Sequence, residues 1–177
     1  MATVLRRSWT ERALGAARLE TGVYEEVEAD ETATGQAAGV VALAAVAQAI
    51  GSVGEGALGA IAGLVGALIG WLIWAGVTYL IGTKLFDGTA TWGELLRTLG
   101  FAQAPGVLAV FGFIPLLGGL IKFAVAIWVL VAGIIAIRQA LDFTTGKAVL
   151  TAVIGWLALL LPMLLFGGSL AMMGLGR

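Results

Sequence analysis

From Gln36 onward the chain is a succession of apolar stretches divided by short polar breaks. The stretches cover residues 34–53, 57–81, 99–113, 120–141 and 148–170. A helix needs about 20 apolar residues to cross a bilayer, and the second, fourth and fifth stretches meet that length. The first and third are shorter or more polar. The breaks carry turn chemistry: Gly51-Ser52-Val53-Gly54-Glu55-Gly56, then a loop over residues 82–91 with Asp87-Gly88, then Pro115 with Gly118-Gly119, then residues 142–147. Thr91-Trp92-Gly93-Glu94 has the spacing of a capping box, so a helix is predicted to start there and lead into the third stretch. Pro105 is expected to kink it.

The first 34 residues read differently. Ser8-Trp9-Thr10-Glu11 is another capping box, at the start of a helix predicted over residues 4–19. At 100° per residue, Leu5, Trp9, Ala13, Ala16 and Ala17 gather on one side of it, with Arg7, Glu11 and Arg18 opposite. This pattern predicts a helix lying on the membrane surface, with Trp9 at the headgroups and Arg6, Arg7, Arg12 and Arg18 drawn to anionic lipid. Residues 20–34 hold five acids among positions 25–31 and read as a solvated linker, with Asp30 and Glu31 complementing the dipole of the next helix. The first apolar stretch follows an acidic segment, unlike that of a cleavable signal, so the tail is expected in the mature protein. The expected organisation is all-α: a soluble tail over residues 1–34 and a five-helix transmembrane domain over residues 35–177.

Composition supports this. Of 177 residues, 60% are hydrophobic and 12% charged, against about 25% charged in an ordinary soluble domain. A single core could not hide so much apolar surface, whereas a bilayer accepts it. Charge then predicts orientation. With the tail inside the cell, Arg6, Arg7, Arg12, Arg18, Lys84, Arg97, Arg138 and Lys147 lie inside and only Lys122 and Arg177 outside. Eight against two favours a cytoplasmic N-terminus and an external C-terminus in the inner (plasma) membrane, and an odd number of spans preserves that separation.

The second stretch carries a periodic signal: Gly56, Gly59, Gly63, Gly66 and Gly70 recur at intervals of 3, 4, 3 and 4. Such a stripe on one helix face lets a neighbouring backbone approach closely. Packing within the chain is the expected use, and a second chain is the alternative. Chemistry is sparse. The sequence contains no His and no Cys, which removes the commonest zinc, haem and iron–sulfur ligands and imidazole catalysis. Arg97, Lys122 and Arg138 fall at span edges, within reach of headgroups. No ionisable group falls inside a span, where proton relays and ion carriers place theirs. Gln48, Thr78, Gln103, Gln139 and Thr151 remain, and are expected to form interhelical hydrogen bonds. The turn Thr144-Thr145-Gly146-Lys147-Ala148 lacks the upstream glycine of a phosphate loop. No catalytic, cofactor or metal site is predicted. The expected partners are lipid and other membrane protein subunits, with nothing that points to nucleic acid or a small-molecule substrate.

Three stretches together resemble bacterial members of the Yip1 domain family. They are YEEVEADETATGQA over residues 24–37, YLIGTKLFDGTATWGELLRTLGFAQAPGVL over residues 79–108, and IPLLGGLIKFAVAIWVLVAGIIAIRQALDFTTGKA over residues 114–148. The resemblance implies a cytoplasmic tail before a five-span, non-enzymatic membrane domain. Eukaryotic relatives carry a DLYGP-type motif and work in vesicle trafficking with Rab-type GTPases. That motif is absent here, and the trafficking role is not carried over. The other expectation for function is an accessory subunit of a respiratory or photosynthetic membrane complex, without a cofactor of its own.

Overall fold

A computed structural model describes the backbone of residues 7–52 and 56–172 and the side chains of residues 7–52 and 57–160. The described residues form α1 (Trp9–Ala17), α2 (Thr21–Ala29), α3 (Thr34–Gly51), α4 (Gly56–Leu85), α5 (Trp92–Phe101), α6 (Gly118–Ala140) and α7 (Thr145–Met172). Short 3₁₀ helices occupy Glu31–Ala33 and Ala104–Phe113. The protein is a polytopic helical membrane protein. Four segments are long and apolar enough to cross a bilayer, and the described part of α7, Thr145–Leu160, is a shorter apolar helix.

Both capping boxes form. Ser8 and Glu11 cap α1, and Thr91 and Glu94 cap α5. Asp87 closes α4 with φ 58°, and the Gly88 N–H donates to the Gly82 carbonyl at 2.9 Å. Gly88 at that turn follows the sequence signal.

The third span differs from expectation. Pro105 does not kink a continuous helix: α5 ends at Phe101, and residues 104–113 continue as 3₁₀ helix with Pro105 at its start. Proline supplies no N–H and starts a helix better than it sits inside one. The 3₁₀ form rises about 2.0 Å per residue against about 1.5 Å in α-helix, so Trp92–Phe113 reaches about 35 Å, enough for a bilayer. The helical lead-in is therefore part of the span. That span is also the centre of the bundle, 67% buried where the other three lie between 11% and 28%. Around it stand α3, α4 and α6, with α7 closing against α4 and α6.

Small side chains make these contacts. The core includes Ala37, Ala47, Ala75, Ala102, Ala132 and Ala136, and a methyl group added at Gly100 would meet the Ala37 Cβ at 2.7 Å. One added at Gly51 would strike the Ala109 carbonyl. Close backbone approach gives dispersion contact where lipid removes the hydrophobic drive between helices. The outside is the reverse, with Leu58 82%, Leu120 65% and Phe123 66% exposed. Large apolar surfaces of that kind belong against lipid.

Candidate functional site

The polar side chains gather at one end of the bundle, and they start from α1. Arg12, expected at the membrane surface, is 1% exposed. Its Nε and Nη2 donate to Glu26 Oε1 at 3.0 and 2.8 Å, and its Nη1 donates to Asp30 Oδ2 at 2.8 Å and Gln36 Oε1 at 3.1 Å. Arg7 Nη1 donates to the other Glu26 oxygen at 2.9 Å. Burial pushes the Glu26 carboxyl up, and the two guanidinium groups outweigh that and hold it below the usual carboxylate range. The membrane-surface assignment is therefore corrected for Arg12, whose donors are engaged inside the protein, while Arg7 remains exposed beside it. Arg18 is exposed, and Arg6 lies outside the described residues. Trp9 is 37% exposed, and its indole donates to the Gln36 carbonyl at 3.1 Å, which fixes it to α3.

The solvated linker is corrected too, because residues 21–29 are helix α2. Val23, Tyr24 and Val27 are fully buried, and the Tyr24 hydroxyl donates to the Ala16 carbonyl at 3.0 Å. The acids that suggested a linker occupy the other faces. α1 and α2 together form a cap packed along α5, α6 and the 3₁₀ segment, with the Trp128 indole donating to the Ala17 carbonyl at 2.8 Å.

Arg97 of α5 fastens that cap. Expected at a headgroup, it is 6% exposed and turned inward. Its Nε donates to the Val27 carbonyl at 2.9 Å and the Glu28 carbonyl at 3.0 Å, and its Nη2 also donates to Glu28. These are end carbonyls of α2, which lack partners within the helix and carry its negative dipole end. Gln139 Nε2 of α6 adds a bond to Glu25 Oε1 at 2.8 Å. Burial and the nearby charges of Glu94 and Asp142 push the Glu28 carboxyl up to about 7, Arg97 opposing. A carboxyl raised on folding binds its proton more tightly folded than unfolded. Its contribution to stability is complete below the ordinary carboxylate range and is lost as pH rises through about 7. Amide exchange in residues 21–29 is accordingly expected to accelerate between pH 5 and 8 more than intrinsic chemistry requires (roughly that window follows from the shift). Glu28→Gln should abolish the excess.

The glycine stripe does not pack inside the chain. A methyl group added at Gly63, Gly66 or Gly70 would meet nothing within 4 Å. α4 buries Trp71, Ala75, Thr78 and Ile81 instead, a face about 100° from the glycines because Gly70 precedes Trp71. Gly59 is half-buried, and the surroundings of Gly56 fall outside the described residues. Intrachain packing is thus corrected for the three glycines nearest the helix centre.

The uncharged polar candidates divide. Thr151 Oγ1 donates to the Lys147 carbonyl at 2.9 Å, within its own helix. Thr78 Oγ1 is buried without a partner among the described residues. Gln48 and Gln103 face a cleft of about 540 Å³ between α4 and α6, floored by α3 and the 3₁₀ segment. Among the described residues no three His, Cys, Asp or Glu side chains are grouped to hold a metal ion.

The family model for the Yip1 domain matches residues 24–167, from α2 into α7. No curated protein and no solved structure matches the chain.

Proposed function

The chain belongs to the Yip1 domain family, and we propose from that premise that it is a non-enzymatic inner-membrane protein that works by packing its helices against lipid and protein partners. In this reading the α1–α2 cap is cytoplasmic and the C-terminus external. Supporting the orientation, Arg7, Arg12, Lys84, Arg97, Arg138 and Lys147 belong to the end that α2 covers, while Lys122 donates to Ser52 at the other. Positive charge favours the cytoplasmic side.

One observation carries the packing reading: Gly63 and Gly66 are exposed, and a side chain added at either meets nothing in the chain, on a span only 11% buried. In lipid, an unoccupied small-residue face is a surface where a second membrane helix can approach. The structure also gives the test its sign. Leucine at Gly63 and Gly66 has open space within the chain, so the double variant should melt with the parent in mild detergent. It should lose its associated membrane proteins, because overpacking an interface costs about 1–3 kcal/mol, roughly a factor of 5 to 150 in affinity. Unchanged co-purification would leave the stripe facing lipid alone.

A further inference from the structure

The cleft between α4 and α6 has a polar mouth and an apolar interior. At the mouth stands Lys122, one turn into α6. Its stem lies along Gly112, and its ammonium donates to Ser52 Oγ at 3.1 Å. No carboxylate among the described residues is within ion-pair distance of it. An ammonium has three donors and a full charge, and at a membrane edge an unsatisfied charge is costly. Gln48 lies one turn before Ser52 on α3, so its amide belongs to the same mouth.

Inward, the walls become apolar: Ala67, Trp71 and Trp74 on one side, Val125, Ala126 and Val129 on the other. A second cavity of about 250 Å³ continues the path past Leu130 and Ile134 to Ile137. The two share Trp74, Gln103, Ala126 and Val129, so they adjoin at those residues as one groove open along its side. From Lys122 to Ile137 the α6 backbone rises about 22 Å. That is the length of an extended long-chain acyl group. A volume of about 540 Å³ with a smaller one of about 250 Å³ adjoining it is in the range of small-molecule sites.

We propose that this groove is a binding site for a single-chain anionic lipid, a long-chain fatty acid, with its carboxylate on Lys122 and Gln48 and its chain running inward past Trp74 to Ile137. One ammonium matches one monoanion, and a single groove between two helices suits one chain. Of the glycine stripe only Gly70 lines this site, so the Gly63 and Gly66 test of helix packing is separate from it.

Photolabelling tests it. The full chain in neutral detergent is irradiated with oleic acid carrying a diazirine near its methyl end, and labelled peptides are mapped. Labelling should concentrate on Trp74 and Ile134, which are half-buried. Loss of a charge-assisted hydrogen bond corresponds to about a tenfold or greater loss of affinity, so Lys122→Gln should lower labelling by about that factor. The methyl ester of the probe should label the parent as weakly as the acid labels Lys122→Gln. Ala126→Phe should block the groove where the two cavities adjoin and remove the inner labels, and if it fails to fold the acid-against-ester comparison still decides. Equal labelling by acid and ester, or labels spread over outward positions such as Leu58 and Ile61, would overturn the assignment. Competition by phosphatidylglycerol as strong as by oleate would also overturn it, placing a two-chain phospholipid in the cleft.

Discussion

Replacing Arg12 with alanine is expected to release the α1–α2 cap from the bundle while the spans stay folded. The guanidinium is 1% exposed and bonds Glu26, Asp30 and Gln36 from one planar group. Its removal takes the principal cation from the half-buried carboxylates of Glu26 and Asp30, and a charged hydrogen bond contributes about 1.5–3 kcal/mol. Arg7, on the other oxygen of Glu26, retains part of the interaction. Opening of the cap should therefore become roughly ten- to a hundredfold more frequent, read as faster amide exchange across residues 10–29. Arg12→Lys should fall between parent and alanine, since an ammonium restores charge without the fork that reaches three partners. Unchanged exchange in Arg12→Ala would mean that apolar contacts alone hold the cap.

The second large effect is expected at Arg97. In Arg97→Met the carbonyls of Val27 and Glu28 lose the donors that tie α2 to α5. Charged hydrogen bonds contribute about 1.5–3 kcal/mol each, so a loss of about 3 kcal/mol or more is expected, with the methionine keeping much of the stem packing. A second readout separates this from general loosening. Arg97 is the cation opposing the upward shift of Glu28, so its removal should move the Glu28 titration above about 7. Greater exchange with an unmoved titration would reduce Arg97 to a packing residue.

The spans were legible because lipid imposes a long apolar run and the breaks carry local turn chemistry. Residues 34–53 became α3 (Thr34–Gly51), and residues 120–141 became α6 (Gly118–Ala140). Both capping boxes form because each depends on residues three apart. The cap was not legible. α2 has apolar residues at Val23, Tyr24 and Val27, a helical spacing overshadowed by five acids, and its partners are distant in sequence. The Glu26 carboxylate meets Arg12 across 14 positions, and the Glu28 backbone carbonyl meets Arg97 across 69. Whether an acid is solvated or paired depends on such tertiary neighbours. The glycines show the same limit. Their regular stripe says a backbone can approach but not which one, whereas Gly51 and Gly100, where helices do close on each other, belong to no pattern.

The account rests on a multi-pass chain with its cap in the cytoplasm, and site-directed thiol labelling tests that directly. The sequence contains no cysteine, so a single cysteine at Thr3 or at Leu175 reports without background. With an impermeant thiol reagent on intact cells, position 175 should label at once and position 3 only after the cells are opened. Labelling of position 3 but not 175 on intact cells would contradict the account.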